Sequence, residues 1–351
     1  MLTVIERVGT RHSKNTLLEL RNMSVGNRAT KTGSHPGRLL LWRTLLTLLA
    51  LLIAAISQGP SAEGSESVRQ KDNNEQTVNA ESAYLEDTPK QLVKHVPELK
   101  GMHPAADQEP LPTILKKTAE RVDEFLNNVV DLVAQEEIKQ ERNGIRSAGK
   151  PAQDNYLILR HGEGAEAGFD EFRMDEEGNR MDASPRRGFL VTSGFALTCM
   201  QFSSAFQLAS TFRYLGDQRI AKREAYVVAF AQLSGETGLE VTMIGPGGSE
   251  AHMELQGIVW VDKENFHILR MRTDLLAPQP KVGLDAQTTK VNFSEVRLQD
   301  VATPLWLPQD VVVYLKLGPV PNRPFEVGFK NEHHYTNYRR YRVTTKIVGP
   351  G

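Results

Sequence analysis

LQGIVWVDKENFHILRMRTDLL, residues 255–276, decides how the rest of the chain is read. Two apolar segments, 257–261 and 266–271, flank the polar break DKEN, and their β-branched and aromatic content predicts a hairpin. Side chains alternate across a strand, so Leu269 and Met271 share one face of the second segment while Arg270 and Arg272 share the other. That strand is expected to be dry on one side and wet on the other. The first segment is apolar on both faces, with Ile258 and Trp260 on one and Val259 and Val261 on the other. It is expected in the middle of a sheet, with cover on both sides.

Outward from the hairpin, short strand-like segments recur between turn residues. They are 136–142, 156–160, 169–175, 212–215, 225–232 and 240–244 before it, and 288–298, 310–317 and 325–335 after it. No helices alternate with them, so an antiparallel sheet is the economical arrangement. Gly216 with Asp217, Gly235 with Gly238, and Pro246, Gly247 and Gly248 supply turns, and Pro304 and Pro308 bracket the entry to VVVYLKL. Within 289–298, Val291 and Phe293 have one parity and Val296 and Leu298 the other, which a β-bulge around Ser294 would reconcile. From Pro112 onward the period changes: Ile114, Leu115, Ala119, Val122, Phe125, Leu126, Val129 and Val133 fall at i, i+3, i+4 spacing, with charged residues between them. This amphipathic helix needs a surface for its apolar stripe, and the sheet is the only large one. A second, irregular helical piece is expected within 194–208, where Phe195, Leu197, Met200, Phe202 and Phe206 lack a clean period.

The first hundred residues do not read as a packed core. Residues 1–37 are a polar, basic leader. In 38–60, Arg38 and Arg43 accompany the apolar run TLLTLLALLIAAI, and Ala55 and Ser57 stand where cleavage requires small residues. This is the pattern of a signal peptide or, uncleaved, of a membrane anchor. The leader ahead of it is long, and Met23 is one candidate for a later translation start. Residues 61–101 turn to Glu, Ser, Asn, Gln, Lys and Asp, too poor in apolar area to offset ordering entropy, and read as a disordered tether. One β domain is expected over 102–347. A net charge of −1 gives no reason to expect nucleic acid. The lone cysteine, Cys199, rules out a disulfide within the chain and reads as a small buried filler in FALTCMQF.

No catalytic or metal constellation rises above background. GPGGS, residues 245–249, lacks the Gly-Lys-Ser/Thr ending and the following helix of a phosphate loop, so it reads as a turn. Glu332, His333 and His334 are the densest histidine cluster, but neighbours in a strand face opposite ways, and no metal is assigned. Arg160, His161 and Gly162 match the start of the histidine phosphatases only superficially, since that chemistry needs a parallel α/β sheet; an exposed loop is expected. Ser193 in VTSGF lacks the GxSxG elbow. Asp170 and Glu171 read as a solvated acidic face, and Arg339, Arg340 and Arg342 among Tyr335, Tyr338 and Tyr341 as a solvated edge strand. No cofactor is assigned, and the chain reads as a non-enzyme.

GIVWVDKENFHILRM is similar to the Gly-x-x-Trp-hydrophobic-Asp, then hydrophobic-x-Arg, signature of exported bacterial proteins of the lipoprotein-carrier type. These include periplasmic lipoprotein chaperones, mycobacterial lipid-binding lipoproteins and the sensor domain of an envelope-stress anti-sigma regulator. FRYLGDQRIAKREAYVVAF, residues 212–230, resembles the preceding hairpin of that pattern, with Lys222 where glycine is common. The resemblance implies an α+β, mostly β fold: a curved antiparallel half-barrel sheet with the amphipathic helix on its concave side. In the carriers, acyl chains lie between the two. Candidate inner-face, ligand-binding residues are Val228, Phe230, Val259, Val261, Leu269, Met271, Val291, Phe293, Val313 and Leu315. The leading expectation is a non-enzymatic, exported protein of the periplasm or cell envelope that holds a lipid, a lipidated protein or another apolar ligand. An envelope sensor or assembly partner with a filled core, working through protein contacts, is the alternative, and a hydrolase using His161 or the pair His333 and His334 comes third. A continuous apolar pocket of about 300 Å³ or more favours the carrier, and a filled inner face favours the partner.

Overall fold

The computed structural model describes residues 3–7, 83–148, 150–161, 168–175, 191–192, 194–220, 222–233, 240–244, 250–320 and 323–341. The chain runs from β1 (Thr3–Arg7) through helices α1 (Ala83–Glu86) and α2 (Pro89–His95), a 3-10 turn at Pro97–Leu99, the short β2 (His103–Pro104) and α3 (Leu111–Asn128). Strands β3 (Leu132–Arg142), β4 (Ile145–Arg146), β5 (Ala152–His161), β6 (Gly168–Met174) and β7 (Val191–Thr192) follow. Two 3-10 turns, Thr198–Phe202 and Gln207–Ala209, lead into β8 (Ser210–Ile220), β9 (Arg223–Gln232), β10 (Glu240–Ile244) and β11 (Glu250–Met253). The last strands are β12 (Leu255–Asp262), β13 (Ile268–Leu275), β14 (Leu284–Val296), β15 (Leu305–Leu317) and β16 (Val327–Arg340).

Twelve strands form one sheet in the order β2-β8-β9-β12-β13-β14-β15-β16-β3-β5-β6, with β4 paired to β3. Its neighbours are antiparallel throughout, and β2 and β6 remain as edges, so the sheet is open and not closed into a barrel. Most neighbours are consecutive hairpins. The exceptions include β2 with β8, β9 with β12, and β16, which lies between β15 and β3 and pairs strands nearly 200 residues apart in sequence. A second sheet has the order β11-β10-β1-β7, so Thr3–Arg7, in the stretch read as a featureless leader, pairs as a strand with β10.

The central hairpin stands as its sequence suggested. β12 lies between β9 and β13; Val259 and Val261 pack in one apolar cluster, and Ile258 and Trp260 in another on the opposite face. Both faces are covered because the chain supplies two outer layers. On the inner face lie α3 and residues 195–202. On the outer face lie Tyr84, Leu92, Val96 and Leu99, from α1, α2 and the turn that follows.

The outer layer corrects two expectations. Residues 83–101, expected within a disordered tether, fold onto the sheet, because Tyr84, Leu92, Val96 and Leu99 are spaced widely enough to be missed by composition yet all become buried. The face of β13 expected to be wet is largely covered by them. Arg272 is ion-paired with Asp274 at 2.7 Å and with Glu98 at 3.1 Å, and Lys290 also pairs with Glu98. Tyr84 donates its hydroxyl hydrogen to Asp274 at 2.6 Å. Trp260 Nε1 donates to Gln218 at 2.7 Å, and Gln218 in turn donates to the carbonyls of Glu98 at 2.8 Å and Lys100 at 3.0 Å. The charges are dry but matched, which is the condition for burying them.

Smaller differences have local causes. α3 stops at Asn128, short of Val133, because Val129 turns extended and Leu132 and Val133 enter β3. The bulge expected at Ser294 is not there: β14 pairs one for one with β15 from Phe293 to Val296, and the register shift between Asn292 and Phe293 leaves over Gln309 of β15 instead. β16 is an interior strand, not the solvated edge expected from Arg339 and Arg340, and Tyr335 points into the core at 3% exposure. The irregular helical piece is the pair of 3-10 turns between 198 and 209. The apolar run 44–56, the GPGGS turn and Ser193 lie outside the described residues. Among the described residues no helix is long and apolar enough to cross a membrane, and no group of His, Cys, Asp or Glu is placed to hold a metal ion.

Candidate functional site

The inner face of the sheet changes character from one side to the other. From β9 to β15 it is apolar, and the cross-strand pairs Val228↔Val259, Val259↔Met271, Met271↔Val291 and Val291↔Val311 carry it across five strands. A Cβ on Gly257 would collide with the Phe230 ring and the Arg272 carbonyl, so glycine there lets the aromatic lie across β12. One step along the strands the inner row mixes polar and apolar residues: Thr273 pairs with Thr289, Thr289 with Val313, and Val313 with Asn331.

From β16 to β6 the same face is charged. Glu136 of β3 is fully buried. Arg173 of β6 grips both its oxygens, Nε to Oε2 at 2.5 Å and Nη2 to Oε1 at 2.7 Å. From β16, Tyr335 donates its hydroxyl hydrogen to Oε1 at 2.7 Å, and His333 sets Nδ1 2.8 Å from that oxygen. Burial alone would raise the carboxyl of Glu136, but Arg173 and the imidazole hold it down to about 2. Burial pushes His333 the other way, below its ordinary value, so its ring is neutral near pH 7. Tyr156 packs against Tyr335, with ring centroids 4.9 Å apart and planes tilted by 51°, and lies under the Arg173 guanidinium. Its own hydroxyl is buried without a hydrogen-bond partner.

Two elements cover this face. α3 contributes Ile114, Val122 and Phe125. Residues 195–203 are buried one after another, with Phe195, Leu197, Met200 and Phe202 in the inner cluster. Phe202 meets Phe230 edge-on at 5.4 Å, and Phe195 meets the His333 ring at 5.0 Å. The backbone bonds of this segment are internal, Met200 to the Leu197 carbonyl and Ser203 to that of Met200, both 2.9 Å. It makes no ladder pairing with the sheet. What fastens its start is Glu171 of β6, whose carboxylate accepts the N–H of Leu197 at 3.1 Å and of Ala196 at 3.3 Å. Glu171 is only partly buried as a residue, yet its carboxyl is desolvated beneath the segment, and that burial pushes it up to about 7 against the opposing pull of the backbone N–H groups of Ala196, Leu197 and Gly194 and of Arg173. α3 holds the other end: Asp123 accepts the Ser204 N–H, and Gln207 donates to the Leu115 carbonyl. Thr118 and Ser203, one on each element, carry buried hydroxyls with no partner.

Of the residues expected on the inner face, Val228, Phe230, Val259, Val261, Met271, Val291, Phe293 and Val313 come together in one cluster with α3. Leu315 joins a separate cluster with Leu284, Leu317, Ala251 and Met253. Leu269 is on the opposite face, with Trp260, because Trp260 pairs with Arg270 and Val261 with Ile268. Leu269 is the extra residue of that bulge, and Ile268 takes the inner position instead. His333 is buried and His334 exposed, as alternation requires. His161 ends β5 and is exposed. Glu171, expected on a solvated face, belongs to the inner face. The set of Glu136, Arg173, Glu171 and Tyr335 was not anticipated as one cluster: Glu136 and Arg173 drew no notice, and Glu171 and Tyr335 were read as solvent-facing.

No family model and no curated protein sequence matches the chain. Among solved structures it is similar to a DUF1329 family protein from Desulfovibrio piger, at 13% identity and a TM-score of 0.32, over 69% of this chain and 95% of that one. It is similar to an outer membrane lipoprotein-sorting protein domain from Vibrio parahaemolyticus, at 12% identity and a TM-score of 0.32, over 64% of this chain and 91% of that one. A LolA superfamily protein from Nitrosomonas europaea aligns at 12% identity and a TM-score of 0.30, over 67% and 97% of the two chains.

Proposed function

We propose that this is an exported, non-enzymatic binding protein of the cell envelope, which takes an apolar ligand, a lipid or a lipidated protein, onto the helix-covered face of its sheet. Export rests on the leader pattern of 38–60. The observation that carries the binding reading is the nature of what fills that face. Residues 195–203 are an irregular apolar segment with internal backbone bonds, so they can leave without breaking a strand pair. The trough beneath them is lined by Val228, Phe230 and Val259 and would take an acyl chain of similar bulk. Native mass spectrometry of protein purified from a bacterial envelope without detergent, followed by organic extraction, tests this. Near-stoichiometric acyl lipid is the expected result. A clean apo mass, together with no uptake of lipid from vesicles, overturns it.

A second reading is favoured by one fact: Val228, Val259 and Val261 are at 0% exposure and Phe230, Val291 and Val313 at 1%, so the inner face is filled. A protein that keeps this face filled would act as a sensor or assembly partner through its surface. The same purification separates the two, since a partner protein captured by crosslinking alongside an apo mass supports the second.

A further inference from the structure

Buried charge on the inner face is matched. Arg173, Tyr335 and His333 surround the Glu136 carboxylate, and Glu171 accepts backbone N–H groups. Buried neutral groups are not all matched. Among the described residues the partnerless buried side-chain atoms are the hydroxyls of Thr118, Tyr156 and Ser203, the amide oxygen of Gln287 and one nitrogen of Arg323. A hydroxyl can turn to give or to take a hydrogen bond, but an amide oxygen only accepts, so Gln287 Oε1 specifies what it lacks, a donor.

The place of that oxygen ties it to the apolar face. No register shift separates Gln287 from Val291 on β14, so alternation turns Gln287, Thr289 and Val291 the same way. Val291 belongs to the large inner cluster, whereas Leu315, directly opposite Gln287, belongs to the smaller one with Leu284 and Leu317. Gln287, at 6% exposure, therefore stands at the seam between two apolar clusters. Its neighbours on the seam are uncharged, Thr289 on the same strand and Thr273 opposite Thr289. Elsewhere on this face amides pair off: Gln140 donates to Asn331 at 3.1 Å, and Gln232 to Gln201 at 2.8 Å. No such partner reaches Gln287 Oε1 among the described residues. A dry acceptor left unbonded destabilises the free protein, and only a donor brought from outside returns that free energy.

We propose that Gln287 is a specificity-determining acceptor of the apolar site, which selects a ligand whose hydrocarbon is interrupted by a secondary amide. This rests on the binding reading above and adds the chemistry of the interruption. The amide N–H of the ligand donates to Gln287 Oε1, while one hydrocarbon arm lies on the Val291 side of the seam and the other on the side of Leu315 and Leu317. Residues 198–202 pack against β13, the strand beside β14, so the departure of that cover opens a way to the seam.

Displacement of the hydrocarbon probe diphenylhexatriene from the full-length chain tests this, with three competitors of similar shape. They are N-octyloctanamide, its ester analogue octyl octanoate, and N-methyl-N-octyloctanamide, which keeps the carbonyl but has no N–H. The secondary amide is expected to bind at least about fivefold tighter than either of the others, a comparison made on the unaltered protein. Gln287→Met, close in shape, should bring the three within about twofold and raise the melting temperature of the free protein, because the unbonded acceptor is gone. Equal binding of the three by the unaltered protein, or a preference that survives Gln287→Met, overturns the inference while leaving an apolar site in place. A variant that melts lower assigns Gln287 a structural role and overturns it too. Failure of the probe and all three competitors to bind overturns the apolar-ligand reading and this inference with it.

Discussion

Lys222 adopts φ 69° at the tip of the β8–β9 hairpin, in the left-handed region that costs a non-glycine residue about 1–2 kcal/mol. Its side chain is exposed and has little to lose. Lys222→Gly is expected to raise stability by about 1 kcal/mol, the strain relieved less the added freedom of the unfolded chain, as read from urea unfolding. Glu136 is the opposite case. Its folded value near 2 lies below the unfolded value near 4.5, so its contribution is fully present above about pH 5 and is lost as pH falls toward 2. Glu136→Ala leaves Arg173 buried and unpaired, and is expected to cost about 3–5 kcal/mol at pH 7, with the difference from the parent narrowing in acid. Glu171 has the reverse sign. Its folded value is about 7, so the folded state holds a proton that the unfolded chain releases, and stability falls as pH rises from about 4.5 to 7. Glu171→Gln should flatten that stretch of the stability profile and gain on the order of 1–3 kcal/mol at pH 8. A profile that keeps its slope would show that another group titrates there.

At the scale of elements, α1, α2 and the Pro97–Leu99 turn are held less by their own helicity than by what they cover. α2 is seven residues long, too short to persist alone in water. Gln218 is the hinge of their attachment, since its amide accepts from Trp260 and donates to two carbonyls of the turn. Gln218→Ala leaves the buried Trp260 N–H without its partner and frees the part-buried carbonyls of Glu98 and Lys100, and is expected to cost about 1–3 kcal/mol, with tryptophan emission shifting to the red as water reaches the ring. Loss of stability without any change in emission would place the damage elsewhere. These elements also mark the limit of what the sequence discloses. The double-sided pattern of Ile258, Val259, Trp260 and Val261 demanded cover on both faces, and only one cover, α3, announced itself by periodicity. The other comes from a Glu- and Lys-rich stretch in which Leu92, Val96 and Leu99 do fall at i, i+4, i+7, but the run is short and broken by Pro97, so its polar composition hides it. Leu269 was misplaced for a related reason: alternation gives the face of a residue only until a bulge intervenes, and the bulge is set by pairing with β12. The cluster around Glu136 was invisible because its members come from three strands, with Glu136 and His333 nearly 200 residues apart in sequence, where each reads as an ordinary polar residue in an alternating strand.

At the largest scale, the twelve-stranded sheet is continuous and carries a layer on each face, so within the described residues it has no boundary along which part of it could melt by itself. Urea unfolding followed by far-ultraviolet dichroism and by tryptophan emission should give coincident single transitions. Separate midpoints would show that the outer layer detaches first.

The place of β16 sets a clock. It is the last strand described, yet it sits between β15 and β3 and makes the long junction from Phe329↔Arg142 to Arg340↔Leu132. Until it arrives, β3, β5 and β6 form a separate patch with an open edge. Closure across so great a sequence separation is slow. A chain emerging from its N-terminus therefore cannot complete the twelve-stranded sheet until β16 has emerged, whichever of the earlier strands have already paired.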